Sequence, residues 1–258
     1  TAGAALTTTG ANASAGITSA TITGSGAVTL NAALAAATTI DGSAMTGVLT
    51  IVAGATAATI SSGTADDVID MAATLTSADT IDLGDGADTL RVDLDGLTAG
   101  SADHKISNVE TLRLDNTAGN NGAMQMDNLE LTTVRLDSGA TRTGVLTLTD
   151  LAVTTTDIQM LGAGTLNADL GFNRTVLDYD TTTDVANVTV TINNGGKTAD
   201  DILVGIITAD NVDKITIIGT EIGQAAADEL TLDEIQGDSF TDLVVTADGE
   251  VIVTDIDG

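Results

Sequence analysis

The sequence contains no cysteine, no proline and no tryptophan, and its 258 residues include two phenylalanines, one tyrosine and one histidine. The absence of cysteine excludes disulfide cross-links and thiolate metal sites. Aromatic rings normally fill the irregular space of a globular core. A core built without them is expected to be regular, with small and β-branched side chains stacked in register.

Basic residues are also scarce, because eight lysines and arginines stand against 37 acidic residues and give a net charge of −29. Such a chain repels nucleic-acid phosphates and anionic lipid, so we expect cations as partners, and neither nucleic acid nor membrane insertion. The 43% of apolar residues favours a folded chain over a disordered one.

Targeting and membrane signals are missing from the sequence as it stands. No uninterrupted run of about eighteen apolar residues is present, which argues against a membrane-spanning helix. The chain opens at Thr1 without an initiator methionine or a signal-like segment. We therefore expect processing or a fragment, with targeting segments outside the sequence.

Catalytic signals are weak. The one histidine, His104, lies between Asp103 and Lys105 in a polar stretch, and the chain offers no cysteine nucleophile and no Gly-x-Ser-x-Gly elbow. Carboxylates are abundant, but aromatic platforms that would bind a sugar ring are not. We expect this protein not to be an enzyme.

Short β-patterned segments recur along the whole chain, separated by Gly, Asn, Asp or Ser. They lie at 17–23, 27–30, 48–52, 68–71, 90–94, 111–114, 133–136, 145–148, 188–192, 214–218, 243–245 and 251–253. Helical spacing of apolar residues is largely missing, and only 32–37 and 223–235 suggest short helical turns. The pattern predicts an all-β fold.

Charge divides the chain into two compositional parts. Residues 1–60 form an Ala/Thr/Gly-rich β segment whose single charged residue is Asp41, and residues 61–258 hold all the other acids and all eight bases. No Pro-rich or charged linker separates the parts, so we interpret them as one continuous architecture, with two separate domains as the alternative.

Two spacings indicate a repeat. Apolar anchors advance by about nine residues, and the sequences LRVD at 90–93, LRLD at 112–115 and VRLD at 134–137 follow one another at intervals of 22, with Val68-Ile69-Asp70 another 22 residues earlier. A repeat of about 20–22 residues that holds two short strands predicts one coil of a right-handed parallel β-solenoid. A Greek-key β-sandwich of short strands is the alternative.

The 22-residue interval also aligns three arginines, Arg91, Arg113 and Arg135, each two residues before an aspartate. In a solenoid these arginines form an exposed ladder beside the aspartates. We interpret this ladder as a solvated, charge-balancing surface and not as a ligand site.

One motif carries metal chemistry. Residues 84–90 read GDGADTL and fit the Gly-x-Gly-x-Asp-x-aliphatic half-site of a calcium-binding nonapeptide repeat, and related copies read SADTID at 77–82, GTADDVI at 63–69 and GGKTADDI at 195–202. Calcium (Ca2+) takes six to eight oxygen ligands at about 2.3–2.6 Å. Glycines with positive φ turn backbone carbonyls inward, and the aspartate adds a charged ligand.

The candidate metal ligands follow from these copies. Asp79, Asp85 and Asp88 come first, and the other candidates are Asp66, Asp67, Asp82, Gly84, Gly86, Asp200 and Asp201. In the competing interpretation, Asp and Gly form turns at strand ends, as in any β protein.

Residues 61–137 resemble RTX-containing S-layer and surface proteins of Gram-negative bacteria, which join calcium nonapeptide repeats to Ala/Thr/Gly-rich segments. The stretch ISNVETL at 106–112 is similar to a step common in those chains. The resemblance implies a parallel β-solenoid, calcium ligation, secretion by a C-terminal signal and assembly into a lattice. The chain departs from these proteins in its few intact glycine pairs, which leaves the number of ions open.

These observations predict a structural cell-surface protein, folded and cross-linked by calcium, that forms homo-oligomers through calcium-assisted contacts and is located in an extracellular S-layer. Cell-surface polysaccharide is a further expected partner. The alternative is an adhesin or ice-binding module. Thr-x-Thr steps at 147–149 and 189–191 would support ice binding only on one flat face, and they do not recur at the 22-residue interval.

Overall fold

The computed structural model describes residues 6–8, 16–34, 36–54, 57–93, 105–116, 122–126, 129–138, 146–149, 151–152, 154–162, 175–179, 187–193, 202–220 and 229–257. In chain order the strands are β1 (Leu6–Thr8), β2 (Ser19–Thr21), β3 (Val28–Leu34), β4 (Thr39–Asp41), β5 (Leu49–Ala53), β6 (Thr59–Ser61), β7 (Val68–Asp70), β8 (Thr80–Asp82), β9 (Thr89–Asp93), β10 (Lys105–Ser107), β11 (Thr111–Asn116), β12 (Gly122–Gln125), β13 (Thr133–Ser138), β14 (Leu146–Thr149), β15 (Asp157–Gly162), β16 (Thr175–Tyr179), β17 (Val188–Asn193), β18 (Ile202–Ala209), β19 (Lys214–Thr220), β20 (Glu229–Gln236), β21 (Asp242–Ala247) and β22 (Glu250–Asp257). Within these ranges, no helix could cross a bilayer.

The strands form three parallel sheets. The eleven odd-numbered strands make one long sheet in chain order from β1 to β21. The even-numbered strands β2 to β10 make an N-terminal side sheet, and β12 to β22 make a C-terminal side sheet. Neighbours in each sheet are two elements apart in the chain, so successive coils each add one strand to the long sheet and one to a side sheet. This is the predicted parallel β-solenoid, and the sandwich alternative is wrong.

The nine-residue spacing marks the step from one sheet to the next. Ile51, Ile69 and Leu90 stack in the long sheet, whereas Ile60 and Ile81 stack in the N-terminal side sheet. All five side chains are buried. Because side chains alternate between the two faces of a strand, each three- to five-residue strand of this region places its middle apolar residue inside.

A column of aliphatic side chains runs inside the long sheet through consecutive strands. It consists of Ile51, Ile69, Leu90, Leu112, Val134, Ile158 and Ile192, all fully buried. These residues belong to one apolar cluster that also contains residues of both side sheets. The regular core expected from the lack of aromatic residues is therefore present.

The single tyrosine lies within this core. Tyr179 is fully buried, its hydroxyl donates a hydrogen bond to the Thr155 carbonyl at 3.0 Å, and the Thr155 hydroxyl donates to the Leu131 carbonyl at 3.1 Å. Burial raises the pKa of Tyr179 well above its usual value, so the hydroxyl stays protonated as a donor.

The 22-residue interval is the true register between β9, β11 and β13, since Arg91, Arg113 and Arg135 pair directly. The earlier step differs from the prediction by one residue: Val68 pairs with Thr89, and Ile69 pairs with Leu90. A slip of one residue would have turned Ile69 outward. The pairing observed keeps the buried column intact.

The same shift places Asp70 directly beside Arg91. Arg91 forms an ion pair with Asp70 at 2.8 Å and a second one with Asp115, and Arg113 also pairs with Asp115, at 3.0 Å. The two arginine side chains are 41% and 33% exposed, a setting in which such pairs contribute about 0–1 kcal/mol each. The predicted charge-balancing ladder is thus confirmed.

Coil length is uniform only in the first half. Pairing advances by 18 residues from Thr50 to Val68 and by 22 from Thr111 to Thr133. It then advances by 24 from Thr133 and by 34 from Asp157 to Thr191. The predicted 20–22 residues therefore describe the earlier coils, and later coils are longer because connections expand between strands that keep their pairing.

Two further sequence-based expectations concern the elements themselves. Where they fall on described residues, the suggested helical turns at 32–37 and 223–235 contribute to strands β3 and β20. The long sheet crosses the compositional boundary at residue 60 without interruption, since β5 pairs with β7 across it.

Candidate metal site

The motif turn at 84–88 lies between β8 and β9 and stacks on the turn at 63–67 of the preceding coil. The Asp85 N–H donates to the Gly63 carbonyl at 3.0 Å. Gly84 has φ +81°, and a Cβ there would lie 2.1 Å from the Gly63 carbonyl oxygen. Gly86 has φ +145°, and its Cβ would lie 2.6 Å from the Ala65 carbonyl oxygen. Both glycines are therefore required for the close approach of carbonyls between coils.

Carboxylates at the corner before the long sheet form a stack that we call the acidic ladder: Asp67, Asp88 and Glu110. Asp67 Oδ1 accepts the Leu49 N–H at 2.7 Å. Asp88 Oδ1 accepts the Asp67 N–H, and Glu110 Oε2 accepts the Asp88 N–H, both at 2.7 Å. Each carboxylate thus caps the backbone N–H of the residue stacked on it in the preceding coil.

Asp88 is the distinctive member of the ladder. Its side chain is fully buried, and its Oδ2 has no hydrogen-bond partner. Burial raises the pKa of the Asp88 carboxyl from 3.8 to about 7, and the charges of Asp67, Glu110 and Asp66 raise it further, against the lowering effect of the Asp67 N–H. An ionised Asp88 therefore has a buried oxygen that nothing described in the protein compensates.

Asp79 occupies the equivalent corner before the N-terminal side sheet. Its Oδ1 accepts the N–H of Ala58 at 2.6 Å, and its Oδ2 accepts both the N–H of Thr76 at 2.7 Å and the Thr76 hydroxyl at 3.1 Å. Asp79 is buried like Asp88, but protein donors occupy both of its oxygens. The two motif aspartates nine residues apart therefore serve two different corners.

Asp67 resembles Asp79, because its second oxygen accepts the Gly63 N–H at 3.1 Å. The next two candidates are exposed and make hydrogen bonds at the surface. Asp66 Oδ1 accepts the Ala87 N–H at 2.9 Å, and Asp82 Oδ1 accepts an N–H of the Asn108 side-chain amide at 2.7 Å. Of the first-choice ligands, only Asp88 combines burial with a carboxylate oxygen that accepts no hydrogen bond.

The remaining candidates divide into two groups. Asp85 is an exposed residue of the motif turn. Asp200 and Asp201, with the whole copy at 195–202 except Ile202, lie outside the described residues, as does His104.

Glu110 was not predicted from the sequence, although it completes the ladder. It lies 22 residues after Asp88 and just before a Thr-Leu-Arg strand start, as Asp88 does, so its signal was its repeat position and not the motif. Glu110 also lines a cavity of about 350 Å³ with Ser107, Asn108, Val109 and Glu130. The half-exposed Glu110 connects the buried Asp88 with solvent.

The donor set fits a hard cation in part. A buried oxygen without a partner, two neighbouring carboxylates and carbonyls crowded at the glycine turns are features that calcium ligation uses. Within the described ranges, however, no three acidic or histidine side chains form a ready-made metal cluster. Comparison with models of protein families, with curated proteins and with solved structures finds no significant match.

The raised pKa of Asp88 predicts a pH dependence of stability without metal. Above its usual pKa of 3.8, this carboxyl loses its proton in the unfolded chain but keeps it in the folded protein up to about pH 7. The free energy of unfolding therefore decreases as pH rises across that interval. Asp88→Asn, which keeps an oxygen for the Asp67 N–H but does not titrate, should reduce this decrease. Urea unfolding at several pH values in calcium-free buffer measures it.

The matched control is Asp85→Asn, the same chemical change at an exposed residue of the same turn, which should retain the wild-type pH dependence. Equal pH dependence in the Asp88→Asn variant and the wild type would contradict the assignment of Asp88 as the titrating group.

The capping role of Asp79 predicts a loss of stability that does not depend on calcium. Asp79→Ala leaves the N–H groups of Ala58 and Thr76 without their acceptor, at about 1–3 kcal/mol for each one that stays buried and unpaired. Urea unfolding should show this loss equally with calcium and with EGTA, and Asp85→Ala should change little. A loss seen only with calcium would instead make Asp79 an ion ligand.

Proposed function

We propose that this protein is a structural component of an extracellular surface array of the S-layer type, folded and held together with calcium. The proposal is supported by an uninterrupted long sheet of eleven parallel strands. Such a solenoid builds an extended object from nearest-neighbour contacts, which suits a scaffold. Under this proposal the chain has no enzymatic role.

The observation that carries the calcium part is the buried, unpartnered Asp88 Oδ2 within the acidic ladder. Three stacked carboxylates repel one another, and burial makes ionised Asp88 costly. A divalent cation would supply the opposite charge at this point. Asp88 would hold it together with Glu110 and Asp66, the flanking carboxylates that act on its pKa.

Calcium also explains how such a chain could be exported and then assembled. At the low calcium level of a cytoplasm, the repulsion within a net charge of −29 disfavours the compact state. Outside the cell, where calcium is plentiful, the ion offsets this charge and bridges neighbouring copies. Secretion to the cell surface and homo-oligomeric contacts are parts of the same proposal, and surface polysaccharide is the proposed anchor.

The alternative of an ice-binding module receives no support from the threonine pairs that suggested it. The pair at 147–149 lies in β14 of the C-terminal side sheet, and the pair at 189–191 lies in β17 of the long sheet. The two pairs therefore do not share one flat face. An adhesin differs from an array protein mainly in its state of association.

Calcium is expected to raise the melting temperature. Binding to the folded state alone adds roughly 2.7 kcal/mol per site at ~100 times the dissociation constant. Asp88→Asn should lose most of this shift because it removes the buried charge, whereas Asp85→Asn should keep it. Thermal melting with millimolar calcium and with EGTA is the measurement, and an unchanged midpoint in the wild type would remove the calcium proposal.

Assembly is the test of the array. Millimolar calcium should convert the purified protein into ordered sheets or filaments in negative-stain electron microscopy, and sodium at equal ionic strength should not. Identical arrays in sodium would reduce calcium to general charge screening. A calcium-bound protein that remains monomeric at high concentration would favour the adhesin.

A further inference from the structure

The coil formed by β21 and β22 leaves part of the apolar core uncovered. Val245 pairs with Ile217, and Ile256 pairs with Ile235, so both occupy inward-facing positions of the core column. Ile217 and Ile235 are fully buried, yet Val245 is 38% exposed and Ile256 is 51% exposed. These side chains lack the covering layer that every inner coil receives from the next one.

Both strands are also sheet edges. β21 is the last strand of the long sheet, and β22 is the last strand of the C-terminal side sheet. An edge strand presents a row of backbone N–H and C=O groups to which another parallel strand can add. Apolar side chains and an open edge occur together here, which is the arrangement that a further coil would complete.

The opposite end has the complementary features. β1 is the other edge of the long sheet, and β2 is the corresponding edge of the N-terminal side sheet. Near this edge Ala20, Ile22 and Val28 are only partly buried against the core. Residues 1–60 carry one charge, from Asp41. This end is therefore apolar and almost uncharged.

Charge decides which ends can meet. The coil formed by β21 and β22 carries five acids and no base, and they are Asp242, Asp248, Glu250, Asp255 and Asp257. Two such coils would repel each other, whereas the nearly uncharged β1–β2 coil adds no repulsion. Head-to-tail contact also keeps all strands parallel, because every strand of the long sheet runs in the same direction.

We propose that the β21–β22 coil of one copy docks on the β1–β2 coil of a second copy, with β21 adding to β1 as a parallel strand. This contact rests on the proposed array function and supplies its growth direction. It is heterologous and does not close on itself, so repetition produces a linear filament. Calcium at the acidic ladder stabilises each copy, and the apolar end surfaces join the copies.

The test introduces charge into the exposed core at one end only. Val245→Lys combined with Ile256→Lys should abolish calcium-induced filaments in electron microscopy and leave a monomer in sedimentation velocity. Val48→Lys is the matched control, because Val48 is 39% exposed but lies between β4 and β5, away from the β21–β22 coil. It should assemble as the wild type does.

Ile256→Lys alone guards against misfolding, since Ile256 is the more exposed of the two residues. It should shorten the filaments while leaving circular dichroism and the calcium-dependent melting shift unchanged. The double variant keeps its β1–β2 end, so a small fraction of it mixed with wild type should terminate filaments and shorten them. Contact between two β21–β22 ends would give dimers, and the added variant would leave their number unchanged.

The outcomes separate this contact from the array function. Arrays of the double variant that equal those of the wild type would overturn the head-to-tail contact and leave the array proposal standing. A wild-type protein that never assembles, with or without calcium, would overturn both. Oligomers that form without calcium but disappear in the double variant would support the contact and remove calcium from its control.

Discussion

The structure depends on one constraint, the register between stacked parallel strands. A slip of one residue would exchange the inner and outer faces of a strand, and each leucine or isoleucine lost from a packed core costs about 2–5 kcal/mol. Lengthening a connection is far cheaper, since doubling its length costs about 0.6 kcal/mol. The step between paired residues therefore ranges from 18 to 34 along the long sheet, while the column from Ile51 to Ile192 stays unbroken.

The corners between sheets have a different requirement, because backbone N–H groups there point into a region that water does not reach. Asp67, Asp79 and Asp88 meet it by accepting N–H groups from the preceding coil. The aspartate of the nonapeptide-like motif is thus a structural cap in this chain. At two of these corners the cap is complete, and at Asp88 one oxygen is left over, so capping and metal ligation compete for the same carboxylates.

Much of this could be predicted from the sequence, because solenoid repeats translate directly into stacking. The interval between the three Arg-containing motifs gave the pairing of β9, β11 and β13, and the nine-residue spacing gave the alternation between sheets. The Val68 step was wrong by one residue, since apolar residues at both 68 and 69 fit either register until Asp70 is placed beside Arg91. Glu110 was missed because a ladder position is defined by stacking and not by local motif, and the ligand set was too broad because spacing alone does not tell which oxygens backbone donors already occupy.

The acidic ladder occupies only a short part of the solenoid. The same corner carries Leu49 in the coil before Asp67, and Thr132 and Thr156 after Glu110, so the stacked charge is limited to three consecutive coils. In a solenoid each coil interacts mainly with its neighbours, and order spreads from wherever it forms first. A cation bound at Asp88 would therefore fix the register of β7, β9 and β11, the part of the chain with the most regular coil length. The longer coils that follow could then add in turn on a template whose register is already set, which places the ion where one local interaction has the largest effect on the whole fold.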